Sequence, residues 1–297
     1  MSSWASTLGG SGGFAVVNCA GYDAEGVANT VFITGAARGV GRATALEFAR
    51  QGASLLLGDI CAQIEECPYP LATREQLEET ARRCRALGSQ VVTAVVDVRP
   101  QDQIDAAVAT AREELGRVGV LVNNAGLVGP AGAPADQLEE SEWTPMVAVA
   151  LNGVWRCATA VLPDRVRARG GGIVNVSSTA GLVAFPFFAN YVAAKHGVIG
   201  LTRALALDYA PNSIRVNAVC PTSVRDEPEL DSAMLAGVAG MLGVEAEDYE
   251  ALSLPHHPLG TLVSAGDVAG TIAWLASDAA ARVTGAVIPV DAGFTSR

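Results

Sequence analysis

The sequence predicts an α/β fold: one three-layer α/β/α domain over residues 30–297, built on a doubly wound, seven-stranded parallel sheet. Three observations predict it. From Val31 onward, short β-branched runs alternate with longer amphipathic stretches. The strand runs are apolar throughout, which suits parallel strands covered on both faces rather than a sheet with one wet side. Half of the 297 residues are hydrophobic, enough for one large core.

Residues 1–29 are rich in Gly, Ser, Ala and Asn without a sustained period, and are expected to form a flexible extension. Strands are expected at 31–34, 53–58, 91–96, 119–122, 172–176, 214–219 and 286–290. Helices are expected at about 40–51, 72–87, 101–116, 141–168, 190–210 and 266–276. Two segments break the rhythm, about 60–71 after the second strand and about 222–262 after the sixth. Loops at the carboxyl ends of parallel strands form the ligand crevice, so both insertions should border the site.

A net charge of −11 argues against a nucleic-acid partner, since a phosphate backbone demands a basic face. No apolar run approaches the roughly 18–20 residues that cross a bilayer. No basic stretch followed by an apolar core opens the chain, so a cytoplasmic protein without a membrane partner is expected. Six cysteines (19, 61, 67, 84, 157 and 220) show no CxxC pattern or Cys/His cluster. They are expected as free or buried thiols, with no metal site. His256 and His257 read as a loop feature.

The run Thr34-Gly-Ala-Ala-Arg-Gly-Val-Gly41 lies between the first strand and the first helix. Gly35 permits a tight turn, Gly39 lets the backbone approach a pyrophosphate, and Gly41 allows close helix–strand packing. The helix N-terminus adds amides and a positive dipole for phosphates. Asp59 ends the second strand, where a carboxylate accepts hydrogen bonds from ribose hydroxyls and repels a 2′-phosphate; this favours NAD over NADP. Arg38 pulls the other way, as a guanidinium that could meet a phosphate. Asp97 and Val98 close the third strand near the expected adenine. Asn124, Ala125 and Gly126 follow the fourth with small polar backbone. Val40, and Pro221 and Val224 after the sixth strand, complete the expected cofactor contacts.

Tyr191 and Lys195 are four residues apart on one expected helix, so they share a face. A free phenol titrates near 10 and is a poor base at neutral pH. A nearby ammonium is expected to stabilise the phenolate and lower that value. Lys195 is the only lysine among 20 basic residues, which fits a position where an amine is required. Ser178, just past the fifth strand, is placed to hold a substrate oxygen. Ser177 is its rival, and the spacing to Tyr191 favours Ser178.

The glycine turn, Asn123-Asn-Ala-Gly126, Ser178, Tyr191-x-x-x-Lys195 and Pro289-Val-Asp-Ala-Gly293, in this order, resemble the classical short-chain dehydrogenase/reductase family over about residues 30–293. The resemblance implies a Rossmann-type sheet ordered 3-2-1-4-5-6-7 and a homotetramer. It also implies hydride transfer between a secondary alcohol and a nicotinamide, with Ser178, Tyr191 and Lys195 catalytic. The segment from Asp59 through Pro68-Tyr-Pro-Leu-Ala-Thr-Arg-Glu-Gln-Leu77, with Cys220-Pro-Thr-Ser-Val224, is similar to the carveol-dehydrogenase-like, mycofactocin-coupled branch. That branch implies NAD held tightly and recycled in place by an external redox carrier.

Two positions depart from the family pattern. Ala150 stands where an asparagine commonly holds a water beside the lysine, which puts the proton relay in question. Asn152 lies about 200° further round the helix and cannot substitute for it. Asp226 stands where a threonine often touches the carboxamide. Ala150 keeps open a second reading, a catalytically weak nucleotide-binding or scaffold protein. Phe185, Phe188 and Met234, with apolar residues of 222–262, are expected to wall a pocket for a hydrophobic alcohol or ketone.

Overall fold

Side chains along the central strands alternate between two buried cores, one on each face of the sheet. The computed structural model describes residues 30–130 and 132–296; the extension expected at 1–29, Cys19 within it, lies outside the described residues. The strands are β1 (Thr30–Thr34), β2 (Ser54–Asp59), β3 (Val91–Val95), β4 (Val118–Asn123), β5 (Gly171–Val176), β6 (Ile214–Pro221) and β7 (Val287–Val290). They pair in parallel in the order β3-β2-β1-β4-β5-β6-β7, the Rossmann-type order that the resemblance implied. The strand order reverses at β1/β4, and the crevice of such a sheet opens there, at the carboxyl ends of the strands.

Val31, Ile33, Leu55 and Leu57 enter one core with α1 (Gly39–Arg50), α2 (Arg74–Ala86) and a C-terminal helix at Ala265–Ala276. Phe32 and Leu56 point the opposite way, into a core with α3 (Gln101–Leu115) and the helices that follow β4 and β5. That period-two division between two dry faces is why the strands carry no polar alternation.

The helix expected at 141–168 is not uniform. It runs as α4 (Glu140–Val147), a π-helical turn at Ala148–Asn152 and α5 (Gly153–Ala168). Gly153 lets it press on the loop after β3, since a Cβ there would lie 2.6 Å from Val98 Cγ2. The segment Glu140–Ala168 is long enough to cross a membrane and contains an apolar window of that character, but 56% of that window is buried in the protein. Its apolarity belongs to a core helix.

α6 (Ala189–Tyr209) carries the Tyr/Lys pair. The second insertion, treated as a loop by its sequence, contains α7 (Met234–Met241) and α8 (Ala246–Ser253) before α9 (Ala265–Ala276). Leu235, Val238 and Ala239 bury one side of α7. The first insertion has no regular structure and is organised by one amide. Gln63 Nε2 donates to the carbonyls of Ile64, Cys67 and Tyr69, and Gln63 Oε1 accepts from Leu71 N.

Candidate active site

The chain leaves β1 at Thr34 and enters α1 through a turn that only glycine can close. Gly35 has φ +66°, and a Cβ on it would sit 2.9 Å from Ala125 Cα. A Cβ on Gly41 would sit 1.9 Å from Gly35 O. Asn124 ties the turn to β4, its side-chain amide donating to Thr34 O and Gly35 O, each at 3.0 Å. Arg38, at the N-cap of α1, contributes no side-chain cap, so the first amides of the helix are open to an anion. Gly41→Ala sets a methyl against backbone rather than a yielding side chain. It is expected to cost about 1–3 kcal/mol or more, read as a lowered Tm in thermal melts.

Asp59 lies at the end of β2, 7% exposed, and its Oδ2 accepts from Ala37 N at 3.0 Å. Burial raises its carboxyl above the usual range, opposed by backbone amides of Ala37, Cys61 and Ile60 and by the Arg38 charge. Arg38 Nη2 donates to Pro70 O at 2.7 Å, so the first insertion holds the guanidinium that the sequence offered to a phosphate. The Asp97 carboxylate lines the cleft but is clasped by Arg99, with Nη2 at 2.6 Å.

At the other end of the cleft, Ser178 and Tyr191 both line the wall, and Ser178 Oγ accepts from Ala180 N at 3.1 Å while bearing on the Tyr191 phenol. The two serines after β5 divide cleanly. Ser177 Oγ donates to Lys195 O at 2.9 Å and is lost to the helix backbone, whereas Ser178 faces the phenol. Lys195 is 5% exposed; its Nζ donates to Val176 O at 2.9 Å and lies 5.6 Å from the Tyr191 ring centroid. The expected depression of the phenol is not found. Burial pushes Tyr191 up to about 12, against the opposing effect of the Ser178 hydroxyl, and pushes Lys195 down to about 8. Both charged forms lose water here, and at this separation desolvation outweighs attraction.

Each residue expected at the cofactor and catalytic ends lines one cleft, which encloses roughly 1370 Å³ with its open mouth included. Met234 lines it too. Phe185 and Phe188 do not: Phe185 stacks on Phe294 at 5.8 Å, and Phe188 O caps the start of α6 by accepting from Val192 N. Ala150 is 1% exposed in the π-helical turn and joins the core, while its neighbour Val149 faces the cleft. Asp226 is drawn to α7, where its carboxylate accepts from Leu235 N (3.3 Å) and Ala236 N (2.9 Å). It caps that helix, which is a different task from the threonine's.

Sequence reasoning missed the roof. Tyr69, from the first insertion, lines the cleft, and its hydroxyl accepts from Val128 N at 3.0 Å. Its ring lies under α7 at Gly237, where a Cβ would come within 3.1 Å of it. The Pro-Tyr-Pro run was visible; its contact with a helix almost 170 residues later was not. Among the described residues no group of three His, Cys, Asp or Glu could hold a metal, and the five described cysteines are unpaired.

Residues 35–295 match the family described as enoyl-(acyl carrier protein) reductase. A short-chain type dehydrogenase/reductase of Mycolicibacterium smegmatis is 38% identical over 88% of this chain and 95% of its own length. The chain belongs to the short-chain dehydrogenase/reductase family. A (−)-trans-carveol dehydrogenase of Rhodococcus erythropolis is 37% identical over 88% of this chain and 96% of that one. The crystal structure of carveol dehydrogenase from Mycobacterium avium in complex with NAD superposes with a TM-score of 0.85 and 38% identity, covering 91% of this chain and 99% of that one. Within the short-chain dehydrogenase/reductase family the chain is therefore of the carveol-dehydrogenase-like type, an oxidoreductase of the class acting on CH–OH groups.

Proposed function

We propose that this short-chain dehydrogenase/reductase is NAD-dependent and interconverts a secondary alcohol and a ketone on a hydrophobic small molecule, with Tyr191 as general acid/base. The observation that carries this reading is the grouping of Ser178, Tyr191 and Lys195 on one wall of the cleft, with the Lys195 ammonium 5.6 Å from the Tyr191 ring centroid, in the same cleft as the glycine turn and Asp59. The glycine turn leaves no room for side chains at Gly35 and Gly41, the α1 amides suit a pyrophosphate, and Asp59 suits ribose hydroxyls. NAD, when bound, supplies the hydride acceptor for alcohol oxidation or, reduced, the donor for ketone reduction.

Ser178 holds the substrate oxygen and Tyr191 exchanges the proton at that same oxygen. With its phenol pushed up to about 12, Tyr191 is in its acid form at neutral pH and ready to protonate a ketone oxygen. Oxidation needs the phenolate, so its rate is expected to rise with pH, while ketone reduction is not expected to rise. Initial rates in both directions from pH 7 to 10 check this. Lys195 anchors to Val176 O and keeps its charge on the Tyr191 side of the cleft. Ala150 supplies no polar atom, so proton exit here does not use the asparagine water of the family pattern.

NAD is preferred over NADP because the Asp59 carboxylate at the end of β2 would repel a 2′-phosphate, and Arg38, which could offset that repulsion, is engaged by Pro70. Asp59→Ser removes the repulsion and is expected to narrow the NAD/NADP preference at least tenfold in kcat/KM. The carveol-dehydrogenase-like type supports cyclic apolar alcohols as substrates, NAD held tightly and an external redox carrier. A homotetramer is supported by apolar side chains left open on α5 and α6, Trp155 (50% exposed) and Leu207 (79%). The test is purification followed by nucleotide analysis and assay with cyclic secondary alcohols. Retained NAD that resists exchange supports tight binding; turnover of free NAD by empty protein overturns that part alone. Absence of both binding and turnover overturns the whole reading.

A further inference from the structure

His257 sits 3% exposed at the end of the second insertion, with hydrogen-bond partners on both ring nitrogens. Nδ1 is 2.9 Å from Ser253 O, at the end of α8. A carbonyl can only accept, so Nδ1 carries the proton. In the neutral ring Nε2 then bears a lone pair, and its partner, Thr222 Oγ1 at 3.2 Å, is the donor. A threonine hydroxyl has one proton. With that proton committed to His257, Thr222 offers only lone pairs to the cleft it lines.

The rest of the contact holds this arrangement in place. The His257 ring meets the Phe294 ring at 5.5 Å, and Phe294 stacks on Phe185 from the loop ahead of Tyr191. Thr222 N donates to Val290 O at 3.3 Å, which pins the backbone past β6. β5 and β6 are neighbours, with Val176 opposite Val219, so Thr222 and Ser178 emerge side by side at the catalytic end.

We propose that His257 fixes the polarity of Thr222, making its hydroxyl an acceptor that selects the carboxamide NH2 of the nicotinamide. This rests on the NAD reading above. Hydride transfer requires the ring beside Tyr191, and the carboxamide is the only nitrogen donor that ring carries. His257 is thus a positioning residue and Thr222 the group that meets the cofactor. A hydroxyl without the histidine could turn either way; with it, Thr222 rejects a nucleotide that lacks the amide donor.

Acetylpyridine adenine dinucleotide replaces the amide NH2 by a methyl group and isolates this contact. The protein is incubated to equilibrium with equal excesses of NAD and this analogue. Bound nucleotides are then released by denaturation and quantified by chromatography, which measures preference without any turnover. Wild type is expected to favour NAD by about tenfold, the effect of one hydrogen bond to a buried acceptor. Thr222→Ser should keep that ratio, Thr222→Val should bring it near unity, and His257→Phe, which preserves the ring contact with Phe294, should lower it several-fold. A double variant should show no further fall beyond Thr222→Val. A preference unchanged in Thr222→Val, or equal losses for both nucleotides in His257→Phe, overturns the proposal. Wild type that binds neither nucleotide overturns the NAD reading together with it.

Discussion

Tyr191→Phe is expected to lower kcat for alcohol oxidation and ketone reduction by about 10²–10⁴-fold while leaving NAD binding intact, the range general acid/base catalysis contributes. The substitution removes one oxygen and keeps the ring. The ring is half-buried in α6 and packs against the core, so the fold should not notice the change. What disappears is the hydroxyl that would exchange a proton with the substrate. Because proton transfer is made only in the transition state, kcat and kcat/KM should fall together. Steady-state kinetics with a cyclic secondary alcohol, beside calorimetric titration of NAD, measure both. Turnover within tenfold of wild type would falsify the assignment of Tyr191. A biological role that survives the substitution with NAD still bound would favour the nucleotide-binding or scaffold reading that Ala150 keeps open.

The second large effect is expected at Arg42, which is fully buried behind the glycine turn. Its Nε donates to Ala37 O and Thr80 Oγ1, its Nη2 to Ala37 O and Gln76 O, and its Nη1 pairs with Asp231 at 2.6 Å. One guanidinium thus joins the turn, α2 and the base of the second insertion. Arg42→Met keeps much of the volume and strips every guanidinium donor, leaving the single Thr80 hydroxyl to serve both the Ala37 and Gln76 carbonyls. Lost charge-assisted bonds of this kind cost about 1.5–3 kcal/mol each when buried, though not additively. An overall loss of about 3 kcal/mol or more, a Tm drop of about 6–12 °C in a chain of this size, is expected. Asp231→Asn should cost about 1 kcal/mol or less, because that carboxylate is 41% exposed and its pairing is screened by water. Calorimetric melts of the two variants test the contrast. Equal Tm values would mean that the turn and α2 stand without Arg42.

The parts of this protein that could be read from sequence are those whose chemistry is local. Strands buried on both faces announce themselves as unbroken apolar runs, and Gly35, Gly39 and Gly41 are spaced by a single turn. Tyr191 and Lys195 share a face because four residues make about one helical turn. The parts that could not be read depend on partners far along the chain. α7 looked like loop because its N-terminal amides are satisfied by Asp226, eight residues before the helix begins, rather than by an adjacent cap. Phe185 looked like a pocket wall because its partner, Phe294, lies 109 residues further on, near the C-terminus.

The sequence by itself determined the sheet, the glycine turn and the choice of candidate catalytic side chains, because each follows from residue type and short spacing. Tertiary structure decided how those side chains behave. Burial, which no spacing reveals, drives Tyr191 up and Lys195 down, and long-range contacts set Ser178 rather than Ser177 against the phenol. The same contacts bring Tyr69 under α7 and His257 onto Thr222, so the roof of the cleft and the polarity of its acceptor exist only once the chain is folded.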